Sequence, residues 1–218
     1  MVSTDDLIDS LSRELTPVHR LRPPMVRAVS WIALAVAVIV VLTLWRGVRA
    51  DMNARIHDPA YWVQVVGALL TGVCATLAVF EISLPDRPGR WAILPVPAAI
   101  MWATGFAYGC LGHWIALAAG APIVEESVRC VTTIVLATIP LGLVLWLMLR
   151  QTRPLRPSGS AWLGALAVAG FADTAHLLLH AVQASLVVLA INLIPVAIIV
   201  VGGGIGGGRR LKSAYSLR

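Results

Sequence analysis

Five side chains able to bind a soft metal or respond to oxidation, Cys110, His113, Cys130, His176 and His180, sit near the ends of apolar stretches. His176 and His180 are four residues apart, which stacks them on one helix face, where they could share a metal or form a pH-responsive pair. Cys110 and Cys130 bracket a loop containing Glu125 and Glu126. The set therefore offers thiolate, imidazole and carboxylate ligands of the kind zinc or copper accepts. The alternative is structural: small thiols pack well in helices, and interfacial histidines bond headgroups or water. Cys74, in the middle of an apolar run, reads as a buried small hydrophobe. Two acids, Glu81 and Asp173, lie in or beside apolar stretches, where a charge is costly and often marks a proton or ion path. Glu81 is close enough to Arg87 for a structural pair. Asp173 is the better functional candidate, with a hydrogen bond to Thr174 or to a facing helix as the alternative. No nucleotide loop, nucleophile elbow or two-histidine-plus-glutamate metalloprotease motif is present, so the chain reads as a non-enzyme.

A second chemistry-bearing stretch opens the chain. From Ser3 to Val18, residues Leu7, Ile8, Leu11, Leu15 and Val18 recur at helical spacing, and Asp5, Asp6, Asp9, Ser12 and Arg13 occupy the rest of the wheel. This predicts a short amphipathic helix, with Ser3 or Thr4 as its cap, Asp5 and Asp6 at the positive end of its dipole, and Pro17 ending it. An apolar edge of Leu7, Ile8, Leu11 and Leu15 flanked by Asp5, Asp6, Asp9 and Glu14 suits helix-in-groove docking on a basic protein surface. The alternative is a helix lying on the bilayer, which its acidic polar face disfavours. Arg20, Arg22, Pro23 and Pro24 then form a stiff, membrane-proximal hinge.

The elements that must position these groups are membrane helices. Of the 218 residues, 58% are hydrophobic and only 13% charged, with a mean hydropathy of +0.83. A soluble domain could not cover that much apolar surface. Apolar runs fall at 28–45, 60–80, 91–111, 130–149, 161–181 and 185–201. Each is close to the roughly 20 residues that cross the hydrocarbon layer. Without barrel-like alternation, helices alone satisfy their backbones in lipid. The expected fold is all-α: a six-helix transmembrane bundle over 28–206, preceded by a cytoplasmic segment 1–27 and followed by a basic tail 207–218. Asp5, Asp6 and Asp9 stand where a secretory signal would be basic and then apolar, so the first run is expected to stay as an anchor.

The net charge of +6 and pI near 10.0 arise from short basic clusters beside the apolar runs, which read as topology signals and headgroup contacts, with no direct nucleic-acid binding. Thirteen of the seventeen Lys and Arg residues fall on one side of a six-span topology; Arg46, Arg49, Arg55 and Arg129 fall on the other. Both termini are therefore expected in the cytoplasm. Trp31, Trp91, Trp146 and Trp162 would mark the inner interface, and Trp45, Trp62 and Trp114 the outer one. The candidate ligands Cys110, His113, Cys130, His176 and His180 would then share the outer face. Pro95, Pro97 and Pro140 are expected inside spans three and four, where a proline removes a backbone donor. Gly67, Gly72, Gly105, Gly109, Gly164 and Gly170 are expected to allow close helix approach.

The string DDLIDSLSRELTPVHRLRPP followed by a first span resembles the membrane-spanning anti-sigma factors called negative regulators of sigma F, the NrsF family. The likeness continues through 84–97, Gly109-Cys110-Leu111 with Trp114 just after, Cys130 at the start of span four, and 145–157 ending in RPLRP. The resemblance implies that the N-terminal helix holds an extracytoplasmic-function sigma factor at the membrane and hides its polymerase-binding surfaces. It also implies sensing through a cysteine at the start of span four and another after span five. Cys130 matches the first, whereas Ala181 beside His180 stands where the second is expected, so a disulfide between these positions is impossible here. Cys110 as partner, Cys130 acting alone, and a metal held with His176 and His180 all stay open.

The sequence thus predicts a multi-pass inner-membrane regulator that releases a sigma factor on an outer-face oxidant or metal signal. Its site residues are Leu7, Ile8, Leu11, Leu15, Asp5, Asp6, Asp9 and Glu14 for the partner, and Cys130, Cys110, His180, His176 and His113 for sensing. No resident cofactor is expected beyond a transition-metal ion at the outer face. The alternative is a small transporter or a haem or metal carrier using His113, His176, His180 and Asp173.

Overall fold

The computed structural model describes residues 4, 8, 9, 12, 22–49, 51–84, 87–113, 123–152 and 157–179, with backbone alone for 106, 108–113, 123–131, 152, 157 and 158. All regular structure among these residues is helical. After the leading segment come α1 (Pro24–Arg46), a one-turn α2 (Met52–Arg55), α3 (Pro59–Ile82), a tight 3-10 turn at Gly89–Ile93, α4 (Val96–His113), α5 (Ile123–Thr152) and α6 (Pro157–Leu179). Helices α1, α3, α5 and α6 are each long and apolar enough to cross a membrane. The expected sixth run, 185–201, lies outside the described residues.

Local chemistry sets the helix ends. Pro24 and Pro59 occupy the first turns of α1 and α3, where a missing N–H is no loss. Asp58 caps α3 by accepting from the Ala60 N–H at 3.0 Å. Gly47 ends α1 at a φ of +81°, a conformation side chains avoid, and returns its N–H to the Thr43 carbonyl. Span three departs from expectation. Its helix starts at Val96 instead of Trp91, because Pro95 and Pro97 fall at the helix start, where they shape the entry to α4 without interrupting it. Only Pro140 is interior, and α5 continues through it.

Packing places α3 and α6 at the centre: 67% of the apolar stretch of α3 and 78% of that of α6 are buried in the protein, against 28% for α1 and 33% for α5. Contacts run α3 to α6, α3 to α4, α5 to α6, and α1 to α3, α5 and α6. The outward faces of α1 and α5, with Val29, Val36, Val40 and Leu44 on one and Ile139, Leu143 and Leu147 on the other, are apolar and exposed. So continuous an apolar exterior fits lipid as the surrounding medium. Glycines bring backbones together at the centre, as expected. A Cβ on Gly67 would lie 2.6 Å from the Trp102 nitrogen, one on Gly105 2.8 Å from the Gln64 nitrogen, and one on Gly170 2.7 Å from both the Ala68 carbonyl oxygen and the Gly72 nitrogen. Hydroxyls inside the bundle turn back onto their own helices, as Thr71 does to Gly67, Thr76 to Gly72 and Thr174 to Gly170.

Candidate functional site

In the leading segment, Thr4, Ile8, Asp9 and Ser12 are described; all four have helical backbone and are exposed, and the Ser12 hydroxyl donates to the Asp9 carbonyl at 2.9 Å. Asp5, Asp6, Leu7, Leu11, Glu14 and Leu15 lie outside the described residues. The chain enters α1 through an extended Pro23, whose carbonyl accepts from the Arg27 N–H at 3.2 Å. Arg27 was expected at the headgroups, but it is turned inward and buried. Its guanidinium donates to the Met148 carbonyl near the end of α5 and lies 5.0 Å from the Phe80 ring centroid. That geometry satisfies a planar cation inside the protein through a carbonyl and an aromatic face. At the same end, Arg87 pairs with buried Glu81 at 3.1 Å, the expected structural pair.

Alternating helix direction brings the ends of α1, α4 and α6, the starts of α3 and α5, and the loop 47–58 to the opposite end of the bundle. There Arg49, also expected at the headgroups, is buried instead. It grips Asp51 with two bonds of 2.7 and 2.8 Å, its Nη1 donates to the Leu177 carbonyl at 3.3 Å, and its backbone N–H donates to the Leu178 carbonyl at 3.2 Å. The Tyr61 hydroxyl donates to the same Leu177 carbonyl, and the Arg49 guanidinium sits 5.5 Å from the Tyr61 ring centroid. Arg55 extends the network to Asp58 at 3.0 Å and Asp51 at 3.7 Å. Hydrogen bonding from Arg49, with the nearby Arg55 charge, holds the Asp51 carboxyl below its ordinary value despite some opposing desolvation.

This loop therefore fastens the last turn of α6 through the carbonyls one and two residues after the buried His176. Of the other predicted sensing residues, Cys110 and His113 lie in the last turns of α4 and Cys130 lies in α5 by backbone, at the same end of the bundle; His180 lies outside the described residues. Glu125 and Glu126, expected in a loop, instead belong to the first turn of α5, where acids suit the helix dipole. Among the described residues no three His, Cys, Asp or Glu side chains gather as a metal site. Cys74 is a free, half-buried thiol within α3.

Asp173 faces a neighbouring helix, as one of its two expected alternatives required: its Oδ2 accepts from the Trp102 indole N–H at 2.8 Å. The close approach at Gly67 and Gly105 sets α4 against α3, from where Trp102 reaches across to α6. Trp102, Arg27, Arg49 and Trp31 are the residues that sequence reasoning missed as tertiary contacts. Trp31 was expected in the inner aromatic belt. It is fully buried, donating its indole N–H to the Leu141 carbonyl at 3.2 Å and meeting Phe171 edge-on at 5.5 Å. Trp45 and Trp62 are exposed, as a belt position demands. The signal for Trp31 was its place four residues after Arg27 and four before Ala35, on one helix stripe.

A sequence model of the family described as Negative regulator of sigma F, NrsF, matches residues 11–212. The chain belongs to this family. The chain is also similar to the Anti-sigma-F factor NrsF of Caulobacter vibrioides (strain NA1000 / CB15N), 33% identical over 92 residues, 41% of this chain and 43% of that protein. The match thus spans under half the length of that NrsF relative. No solved structure matches the chain. The all-helical fold and its four apolar helices are what the structure adds to that NrsF membership.

Proposed function

We propose that this chain is a membrane-anchored anti-sigma factor. Residues 1–27 bind a sigma factor of the extracytoplasmic-function type at the cytoplasmic face of the inner membrane, and the spans of 28–206 carry a signal from the outer face. The observation that carries this reading is the family match over 11–212, which runs from within the predicted partner-binding helix to the basic tail. Leu7, Ile8, Leu11 and Leu15 supply the apolar contact, and Asp5, Asp6, Asp9 and Glu14 complement a basic sigma surface. The trigger is an oxidant or metal acting at Cys130 with Cys110, His113, His176 or His180. If a transition-metal ion is the trigger, thiolate and imidazole are the donors it would find there.

Release requires only a differential affinity of a few kcal/mol between two packings of the bundle. A transporter or carrier reading would draw on Asp173 as an open proton or ion ligand. The bond from Trp102 gives that carboxylate a structural partner and so favours regulation.

The test is capture, by the full chain in detergent micelles, of a sigma factor from the complete set of extracytoplasmic-function sigma factors encoded by the same genome. Wild type should retain it, and Leu11→Asp, which puts a charge into the apolar edge, should reduce retention at least tenfold. Absence of capture by wild type would count decisively against the proposal.

A further inference from the structure

The contacts of α1 with α5 differ in kind from those at the centre of the bundle. Helices α3, α4 and α6 meet through glycines, backbone against backbone. Helix α1 instead sends three side-chain donors onto α5, spread over nearly its whole length. Arg27 reaches the Met148 carbonyl, Trp31 the Leu141 carbonyl at 3.2 Å, and Arg46 the Thr133 hydroxyl at 2.8 Å. Buried residues line both helices at steps of three and four, Ala28, Trp31, Ala35, Ile39 and Leu42 on α1 and Ala137, Leu141, Leu145 and Leu149 on α5, within one apolar core to which α3 and α6 also contribute. In lipid, where apolar packing alone gives helices little reason to prefer one another over the solvent, polar ties of this kind fix register.

The two ends of this pair are the two ends that matter. Cys130 lies three residues before Thr133 on the same continuous helix. Arg27 lies in the first turns of α1, bonded by its backbone to Pro23 of the stiff hinge that leads from the N-terminal segment. We propose that α1 and α5 move as one strut, with Arg27 as the positioning residue that passes a displacement of α5 to the partner-binding segment. This inference rests on the anti-sigma reading for its purpose and on the three contacts for its mechanics. On this proposal a displacement at the Thr133 end passes to the hinge through the three ties, of which Arg27 is the closest to the hinge.

The experiment is a double-mutant cycle on the full chain in detergent micelles, read by the rate of trypsin cleavage after Arg20. The bond after Arg22 precedes a proline and resists trypsin, so Arg20 reports the hinge. Thr133→Val removes the outer tie, and Arg27→Lys keeps the charge but loses the planar fork and its stacking on Phe80. Thr133→Val should change the cleavage rate about threefold or more in the wild-type background, and should have no effect in the Arg27→Lys background. Equal fold-changes in both backgrounds, or no change in either, would overturn the strut. If Arg27→Lys does not elute as a single folded species, Trp31→Phe takes its place in the cycle, removing the bond to Leu141 while keeping an aromatic ring. Sigma-factor capture by the same proteins separates the two claims. Loss of capture by wild type sinks the anti-sigma reading while the cleavage cycle stands, and additive cleavage sinks the strut while capture stands.

Discussion

Asp51 shows how a single side chain can hold a membrane protein's loop without sitting in the membrane. Its carboxylate accepts two bonds from buried Arg49, which in turn holds the Leu177 carbonyl of α6. Because this pairing lowers the folded-state value of Asp51, its contribution to stability is fully present above the ordinary carboxylate value of about 3.9 and is lost as the pH falls through the depressed value. Thermal unfolding in micelles should therefore show no Asp51-dependent change from pH 7 to 5, and a fall in midpoint below about pH 4. Asp51→Asn should lower the midpoint at pH 7 and flatten that acid limb; an unchanged limb would show that other carboxylates carry it. The candidate ligands were legible as residue types. Arg27 and Arg49 were not read correctly, because a basic residue beside an apolar run looks the same in sequence whether it faces phosphate or a buried carbonyl.

Among the elements, the glycine-lined crossings make the sharpest prediction. Gly67 meets backbone atoms of Trp102, which cannot rotate aside, so Gly67→Ala must push α4 away from α3. The overpacking should destabilise the protein by about 1–3 kcal/mol. It should also lengthen the indole bond to Asp173, visible as a shift in tryptophan emission. Gly142 in α5 has nothing within 4 Å of an added Cβ. Gly142→Ala should accordingly be neutral or stabilise by roughly 0.5–1 kcal/mol through helix propensity. Equal effects of the two substitutions on a denaturant midpoint would show that close packing at Gly67 does not limit stability. Helix positions were readable from run length and apolar content. The start of α4 was misplaced because Trp91 to Leu94 are as apolar as a span, whereas the prolines that follow confine the helix to Val96 onwards.

For the molecule as a whole, the testable property is the side on which the N-terminal segment lies. Basic residues are concentrated on one side of the expected topology, and the sigma factor proposed as partner would be cytoplasmic. An N-terminal epitope should thus survive trypsin added to intact spheroplasts and disappear once the membrane is permeabilised; digestion from outside would reverse the orientation and remove the partner from reach. Composition and run length by themselves determined that the chain carries runs long and apolar enough to cross a membrane and that the runs among the described residues are helices. These are one-dimensional properties, set by how many apolar residues follow one another. Tertiary structure decided which helices are central, that Arg27, Trp31 and Arg49 turn inward, and that Trp102 answers Asp173. Those choices depend on which carbonyls and rings approach from residues scores of positions away, and no local pattern encodes a partner at that separation.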